Sequence, residues 1–124
     1  MKLVVLNSTP LIYMAKIGLA HLLTDLMLEK ATSPLVRKEV ADRGRDIGAP
    51  EATILEDLFQ RRIIKVLEPK DQELISKLQG VRGLHEADMQ VLALAKEHDG
   101  TAIVDDELAR KTAKIYKIKY AGTP

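Results

Sequence analysis

The sequence predicts an α/β fold, specifically a three-layer α/β/α sandwich with a central parallel sheet of about five strands. Short apolar runs alternate along the chain with amphipathic segments of helical periodicity. The first run, Leu3 to Leu6, is continuously apolar, which is typical of a strand covered on both faces. The alternation of strands and helices favours parallel strands joined by helical crossovers.

We predict five short strands, each followed by a polar residue or a turn residue. They run from Leu3 to Leu6, Lys30 to Ser33, Ile63 to Leu67, Thr101 to Val104 and Ile118 to Ala121.

Helices are predicted between these strands, because cap residues and prolines mark their starts and glycines mark several of their ends. Ser8 or Thr9 can cap the first helix, and Pro10 fits its first turn. Gly44 and Gly48 are expected to break the third helix. The predicted helices are Leu11 to Ile17, a short helix through Leu22, Leu23 and Leu26, Leu35 to Arg43, Pro50 to Phe59, Pro69 to Leu78, Gly83 to Lys96 and Glu107 to Lys117.

Composition limits the class of protein. The 124 residues are expected to form a single domain, residues 1–124, with an aliphatic core. The absence of cysteine excludes disulfides and zinc-thiolate sites and favours a cytoplasmic protein. No apolar run approaches the roughly 18 residues that span a membrane. A further helix is expected after the fifth strand in this class of fold, so the sequence is consistent with a chain truncated at its C-terminus.

Two carboxylates fall on the apolar sides of their predicted helices. Asp88 lies among residues such as Leu84 and Val91, and Glu39 lies beside Val40. An ionised carboxylate that faces inward is costly unless backbone amides, a basic partner or a metal ion compensates its charge. A lone inward Glu is more often a salt-bridged core acid than a catalyst, and Arg37, Arg43 or Arg82 could supply the bridge.

Polar residues also stand at two strand ends, where ligands bind in open α/β sheets. Asn7 follows the first strand, and Asp105 and Asp106 follow the fourth. Taken singly, Asn7 is expected to form an Asx turn, and one of the two aspartates is expected to cap a helix. If these residues converge with Glu39 and Asp88, the carboxylates repel one another unless they are protonated or bridged by a divalent cation. Oxygen ligands without cysteine favour Mg²⁺ or Mn²⁺ over zinc.

The net charge of +1 is too balanced to indicate nucleic-acid binding by itself, so only local clusters of basic residues can support it. Arg110 and Lys111 closely follow the aspartate pair and could bind a phosphate backbone beside an acidic metal site. The alternative is an ordinary solvated helix face. No phosphate-binding glycine loop and no nucleophilic serine motif is present.

Four segments, in this order, resemble the PIN domain, the nuclease fold of many prokaryotic toxin ribonucleases. The resemblance covers essentially the whole chain. The segments are Val4 to Ile12, Pro34 to Val40, Gly83 to Asp88 and Ala102 to Asp106.

The resemblance implies a metal-dependent endoribonuclease that cleaves single-stranded RNA and forms the toxin component of a toxin–antitoxin pair. It implies a site of Asn7, Glu39, Asp88 and Asp105 or Asp106 around one or two Mg²⁺ or Mn²⁺ ions, with Glu39 and Asp88 as primary ligands. RNA binding is assigned to Ser8, Arg110 and Lys111. An antitoxin protein and a second copy of the chain are the expected partners.

Asn7 departs from the family pattern, because the usual first acid of a PIN domain is an aspartate. An amide lacks the negative charge, so metal binding is expected to be weaker. The main alternative is therefore a non-catalytic PIN-like module that binds RNA or protein. A phospho-receiver domain is disfavoured, because receivers group two acids after the first strand, where this chain has only Asn7.

Overall fold

The computed structural model describes residues 3–16, 29–47 and 50–122 and shows a five-stranded parallel sheet. Its strands lie side by side in the order β3-β2-β1-β4-β5. They are β1 Leu3–Leu6, β2 Glu29–Thr32, β3 Ile64–Val66, β4 Thr101–Ile103 and β5 Lys119–Ala121. The predicted fold class is confirmed, and every predicted strand is present to within two residues at each end.

Six helices lie in the described part of the chain. They are α1 Ser8–Lys16, α2 Pro34–Ile47, α3 Pro50–Gln60, α4 Gln72–Gln79, α5 Glu86–Glu97 and α6 Glu107–Ile115. The helix predicted through Leu22, Leu23 and Leu26 falls outside the described residues. Among the helices described, none combines the length and the apolar character that spanning a lipid bilayer requires.

The helices form two layers because the direction of the chain across the sheet reverses after β3. Strands β1, β2 and β3 proceed towards one edge, and β4 and β5 proceed from β1 towards the other. Parallel crossovers are right-handed, so the helices before and after the reversal cover opposite faces. In agreement, α1, α2 and α3 pack on one another, and α5 packs on both α4 and α6.

Helix α5 is more buried than its sequence pattern indicates. Val91 to Ala95 are all fully buried, so this turn has no solvent-facing side. The helix packs against β1 and β4 and is flanked by α4 and α6. The prediction that only one side of this helix is buried is wrong for this turn, because the sheet and the two flanking helices cover it on all sides.

The predicted break at Gly44 is wrong, because α2 continues through it to Ile47. A methyl group added at Gly44 would lie 2.1 Å from the Cβ atom of Ala52 on α3. The glycine therefore allows two helices to approach closely rather than ending one of them.

Replacing Gly44 by alanine should lower the free energy of unfolding by about 1–2 kcal/mol, measured by urea denaturation. Alanine adds helix propensity worth about 1 kcal/mol, but the steric conflict with Ala52 is larger. The matched control is the same change in an Ala52→Gly background. There the added methyl has room, so Gly44→Ala should be stabilising. A Gly44→Ala protein more stable than the native chain would contradict this account of the contact.

Candidate active site

A cavity of about 580 Å³ opens at the carboxyl ends of β1 and β4. This is the point where the chain order reverses, and it is the usual ligand-binding position in open α/β sheets. The cavity is lined by Asn7, Ser8, Thr9, Pro10, Leu35, Glu39, Arg43, His85, Glu86, Ala87, Asp88, Asp105 and Asp106. All five residues predicted from the sequence as catalytic therefore face one cavity.

Asn7 connects the end of β1 to α5. Its backbone N–H donates to the carbonyl oxygen of Ile103 at 3.2 Å, which extends the β1–β4 pairing by one residue. Its side-chain oxygen accepts a hydrogen bond from the backbone N–H of Ser8 at 2.7 Å, and its Nδ2 donates to Oδ1 of Asp88. These two partners fix the orientation of the amide, because only the nitrogen can donate to a carboxylate. Asn7 thus holds Asp88 with its nitrogen, and its oxygen is engaged by the backbone.

Asp88 lies in the first turn of α5 and is 3% exposed. Burial, followed by the negative charge of Asp106, raises the pKa of Asp88 from 3.8 to about 6. The charge of Glu39 acts in the same direction, whereas His85 and the hydrogen bond from Asn7 lower the pKa. Such a perturbed carboxyl group in a cavity is typical of a functional site.

Glu39 is half-buried on α2, and its Oε2 accepts a hydrogen bond from the hydroxyl of Ser8 at 3.3 Å. Arg37, one of the predicted bridging residues, instead pairs with Glu56 at 2.7 Å and stacks over Phe59. Within the described residues, no arginine pairs with Glu39 or with Asp88. An arginine bridge therefore does not account for these two acids.

The two aspartates after β4 differ in their contacts. Asp106 is the N-cap of α6, and its Oδ2 accepts from the backbone N–H of Ala109 at 3.0 Å. Its charge also acts on Asp88, so capping the helix and facing the site are compatible roles. Asp105 lies 3.4 Å from Nη2 of Arg110.

The residues assigned to RNA binding occupy different environments. Ser8 is 7% exposed and donates to Glu39. Arg110 donates from Nε to the carbonyl oxygen of Val104 at 3.0 Å, in addition to its contact with Asp105. Lys111 is exposed and pairs with Glu107 at 3.2 Å. The assignment of these residues to RNA stays a prediction.

Three charged or titratable residues that line the cavity are not among the predicted site residues: Arg43, His85 and Glu86. His85 is exposed at the N-cap position of α5, where its side chain makes no capping hydrogen bond. Arg43 is one of the three arginines that the sequence offers as a bridge to Glu39, and in the structure it lines the cavity without pairing with that acid. It follows Glu39 by four residues on α2, so helical periodicity alone places both on one face.

The donor set suits a hard divalent cation. Glu39, Asp88, Asp105 and Asp106 offer only carboxylate oxygens, and burial of Asp88 among other acids favours a positive neighbour. Within residues 3–16, 29–47 and 50–122, no three His, Asp or Glu side chains are gathered closely enough to enclose a metal ion. Mg²⁺ commonly binds through one or two carboxylates and several waters, so the residues present fit such an ion.

The order of the strands and the acidic cavity beside β1 define an α/β domain with its site at the topological switch point. Residues 3–123 match the family model described as PIN domain. The chain therefore belongs to the PIN domain family.

A curated relative, endoribonuclease Nob1 of Pyrococcus abyssi, is 34% identical over 101 residues. The match covers 77% of this chain and 59% of the relative, so this chain spans less than two thirds of that protein.

Solved structures share the fold at low sequence identity. VapBC-1 from nontypeable Haemophilus influenzae superposes with a TM-score of 0.69 at 16% identity, covering 97% of both chains. PAE2754 from Pyrobaculum aerophilum gives 0.64 at 15% identity, covering 98% of this chain and 91% of that one. VapBC2 from Rickettsia felis, bound to a DNA fragment from its promoter, gives 0.62 at 15% identity, covering 98% and 99%.

Proposed function

We propose that this chain is a metal-dependent endoribonuclease that cleaves single-stranded RNA. The observation that carries the proposal is the buried carboxylate of Asp88, which faces Glu39 and Asp106 in one cavity without an arginine partner among the described residues. Such a group is costly in a folded protein and is expected to be retained for function. Membership of the PIN domain family and the likeness to an endoribonuclease support the same reaction.

Asp88 and Glu39 would be the primary ligands of Mg²⁺ or Mn²⁺, and Asp105 and Asp106 would bind the ion directly or through water molecules. A bound cation would supply activation of a water molecule and stabilisation of charge on the scissile phosphate. The neighbouring polar residues hold the acids in place. Asn7 donates to Asp88, and Ser8 donates to Glu39. Two acids from separate helices are thereby kept directed at one cavity.

We further propose that the chain is a toxin held in check by an antitoxin protein, and that it acts as a cytoplasmic homodimer. The fold likeness to two VapBC proteins supports the antitoxin partner. Co-expression with candidate antitoxins, followed by measurement of the mass of the purified complex, tests both the partner and the number of copies.

The nuclease proposal is tested by incubating the native chain with a labelled single-stranded RNA in Mn²⁺, in Mg²⁺ and in EDTA. We expect internal cleavage with either metal and none in EDTA. Single-stranded DNA of the same sequence serves as the substrate control. Cleavage that persists in EDTA, or no cleavage of a panel of RNAs with either metal, would contradict the proposal.

Asn7→Asp should raise both Mn²⁺ affinity and cleavage rate by about tenfold, since it adds a carboxylate beside Asp88. The same change should destabilise the metal-free protein at neutral pH, because it replaces a hydrogen-bond donor with a like charge. Calorimetric titration with Mn²⁺ and urea denaturation in EDTA measure the two effects. Asn7→Ala removes the hydrogen-bond donor to Asp88 without adding a charge. This variant should therefore have a lower free energy of unfolding than the native chain and no higher affinity for Mn²⁺.

A second candidate function is a non-catalytic module that binds RNA or protein. It is favoured by Asn7, whose amide nitrogen faces Asp88 where an aspartate would add a ligand oxygen. Mn²⁺ titration distinguishes the two functions: absence of binding, or binding unchanged by Asp88→Ala, would favour the module.

A further inference from the structure

Arg43 lies between two cavities. It lines the acidic cavity together with Glu39, and it also lines a second cavity of about 280 Å³ formed by α1, α2 and α3. The second cavity is bordered by apolar residues, including Ile12 and Leu55, by Lys16 at the end of α1 and by Glu51 on α3. Arg43 therefore marks the boundary between the acidic site and a more apolar surface.

The guanidinium of Arg43 forms no ion pair with the acids beside it. Glu39 precedes it by four residues, an order and spacing that favour a Glu–Arg pair on a helix. In the structure Glu39 instead accepts from the hydroxyl of Ser8. Across the described residues, no carboxylate lies within ion-pair distance of Arg43, and its side chain is exposed. Among the described residues, a surface salt bridge therefore does not account for this arginine.

A nuclease with this cavity has an electrostatic difficulty, because five carboxylates line it. They belong to Glu39, Glu86, Asp88, Asp105 and Asp106. These charges repel the phosphate backbone of RNA, and divalent cations compensate only near the scissile phosphate. A cation at the rim would attract the adjoining phosphate, and an arginine fork can bind its oxygens in a bidentate manner.

We propose that Arg43 binds a phosphate of the RNA strand next to the cleaved position, and that the backbone leaves the acidic cavity past Arg43 towards Lys16. This inference rests on the proposed nuclease function and states the path that the RNA backbone takes out of the cavity. Phosphate contacts set the position of a strand without reading its sequence. Arg43 is thus a substrate-binding residue.

The test is RNA binding by fluorescence anisotropy at several salt concentrations in Ca²⁺, which takes the same oxygen ligands as Mg²⁺, with a gel confirming that the RNA stays intact during the measurement. Arg43→Ala should weaken binding about tenfold and reduce the slope of log affinity against log salt by about 0.7. Arg43→Lys keeps the charge but loses the fork, so it should keep the slope and lose about threefold in affinity. The matched control is Lys38→Ala, an exposed cation on α2 that does not line the acidic cavity. It should leave affinity nearly unchanged.

Cleavage kinetics supply a second readout. Loss of a contact made equally in the ground state and the transition state raises KM and leaves kcat nearly unchanged. We expect this pattern for Arg43→Ala with Mn²⁺ present, with circular dichroism confirming the fold.

Each other outcome overturns the inference in a distinguishable way. Equal weakening by Lys38→Ala and Arg43→Ala would mean diffuse charge attraction and no specific phosphate contact. Native binding and cleavage with no effect of Arg43→Ala would remove the inference and leave the nuclease function standing. Failure of the native chain both to bind and to cleave RNA would remove both.

Discussion

Replacing Asp88 by asparagine should abolish RNA cleavage, with a loss of at least about 100-fold in kcat/KM. Asp88 is the most buried acid of the cavity and is held by Asn7. Asparagine has the same shape, and its side-chain oxygen can still accept the hydrogen bond from Asn7. The change therefore removes the charge while keeping the contact. The loss in kcat/KM is measured by following cleavage of a labelled single-stranded RNA in Mn²⁺.

The matched control is Asp57→Asn, which alters an exposed aspartate on α3 that pairs with Arg61 at 3.3 Å. A surface pair of this kind contributes little to stability, so cleavage should be unchanged. Equal cleavage by native protein and Asp88→Asn would mean that the activity comes from a contaminant or from a different site.

The metal-free protein should lose a contribution to its stability as the pH rises through the pKa of Asp88. The folded-state pKa of about 6 lies above the unfolded value of 3.8, so the folded chain binds more protons between these values. The contribution is fully present below 3.8 and is lost as the pH rises through about 6. A shift of this size corresponds to about 2–3 kcal/mol before screening, and solvent in the cavity that Asp88 faces reduces this to about 1–2 kcal/mol.

Asp88→Asn isolates this contribution from the titration of other acids. In EDTA at neutral pH, the variant should be more stable than the native chain by about 1–2 kcal/mol, and the difference should shrink towards acidic pH. Urea denaturation across the pH range measures it. Adding Mn²⁺ should reduce or reverse this difference in stability, because the native chain binds the ion more tightly than Asp88→Asn and is stabilised by it. An Asp88→Asn protein less stable than the native chain at every pH, with or without metal, would contradict this account.

Much of the fold could be predicted because its signals are local. Proline and cap residues mark the starts of α1 and α2, and the apolar run of β1 ends at Asn7. The error at Gly44 has a long-range cause. A glycine inside a helical pattern is compatible with a break or with a close helix contact, and only the position of Ala52 decides between them.

The site could be predicted in part for the same reason. Helical periodicity predicted that Asp88 and Glu39 point inward, and the predicted strand ends placed Asn7 and the aspartate pair at the same edge of the sheet. The structure shows all five residues lining one cavity. The sequence did not show which atom of Asn7 faces Asp88, because that contact joins residues 81 positions apart. Nor did it show that Asp106 caps α6 while acting on Asp88. The cap itself is a local contact that the sequence predicts for one of the two aspartates, but the contacts of Asn7 and Asp106 with Asp88 depend on packing between elements.

Calorimetric titration of the metal-free native chain with Mn²⁺ tests most directly whether these acids form one cation site. The native chain should bind Mn²⁺ through the cavity of Glu39, Asp88 and Asp106, and Asp57→Asn should bind equally well. Asp88→Asn should lose most of the affinity. Heats of binding that are the same for the native chain and for Asp88→Asn, or absent from both, would contradict the proposed site.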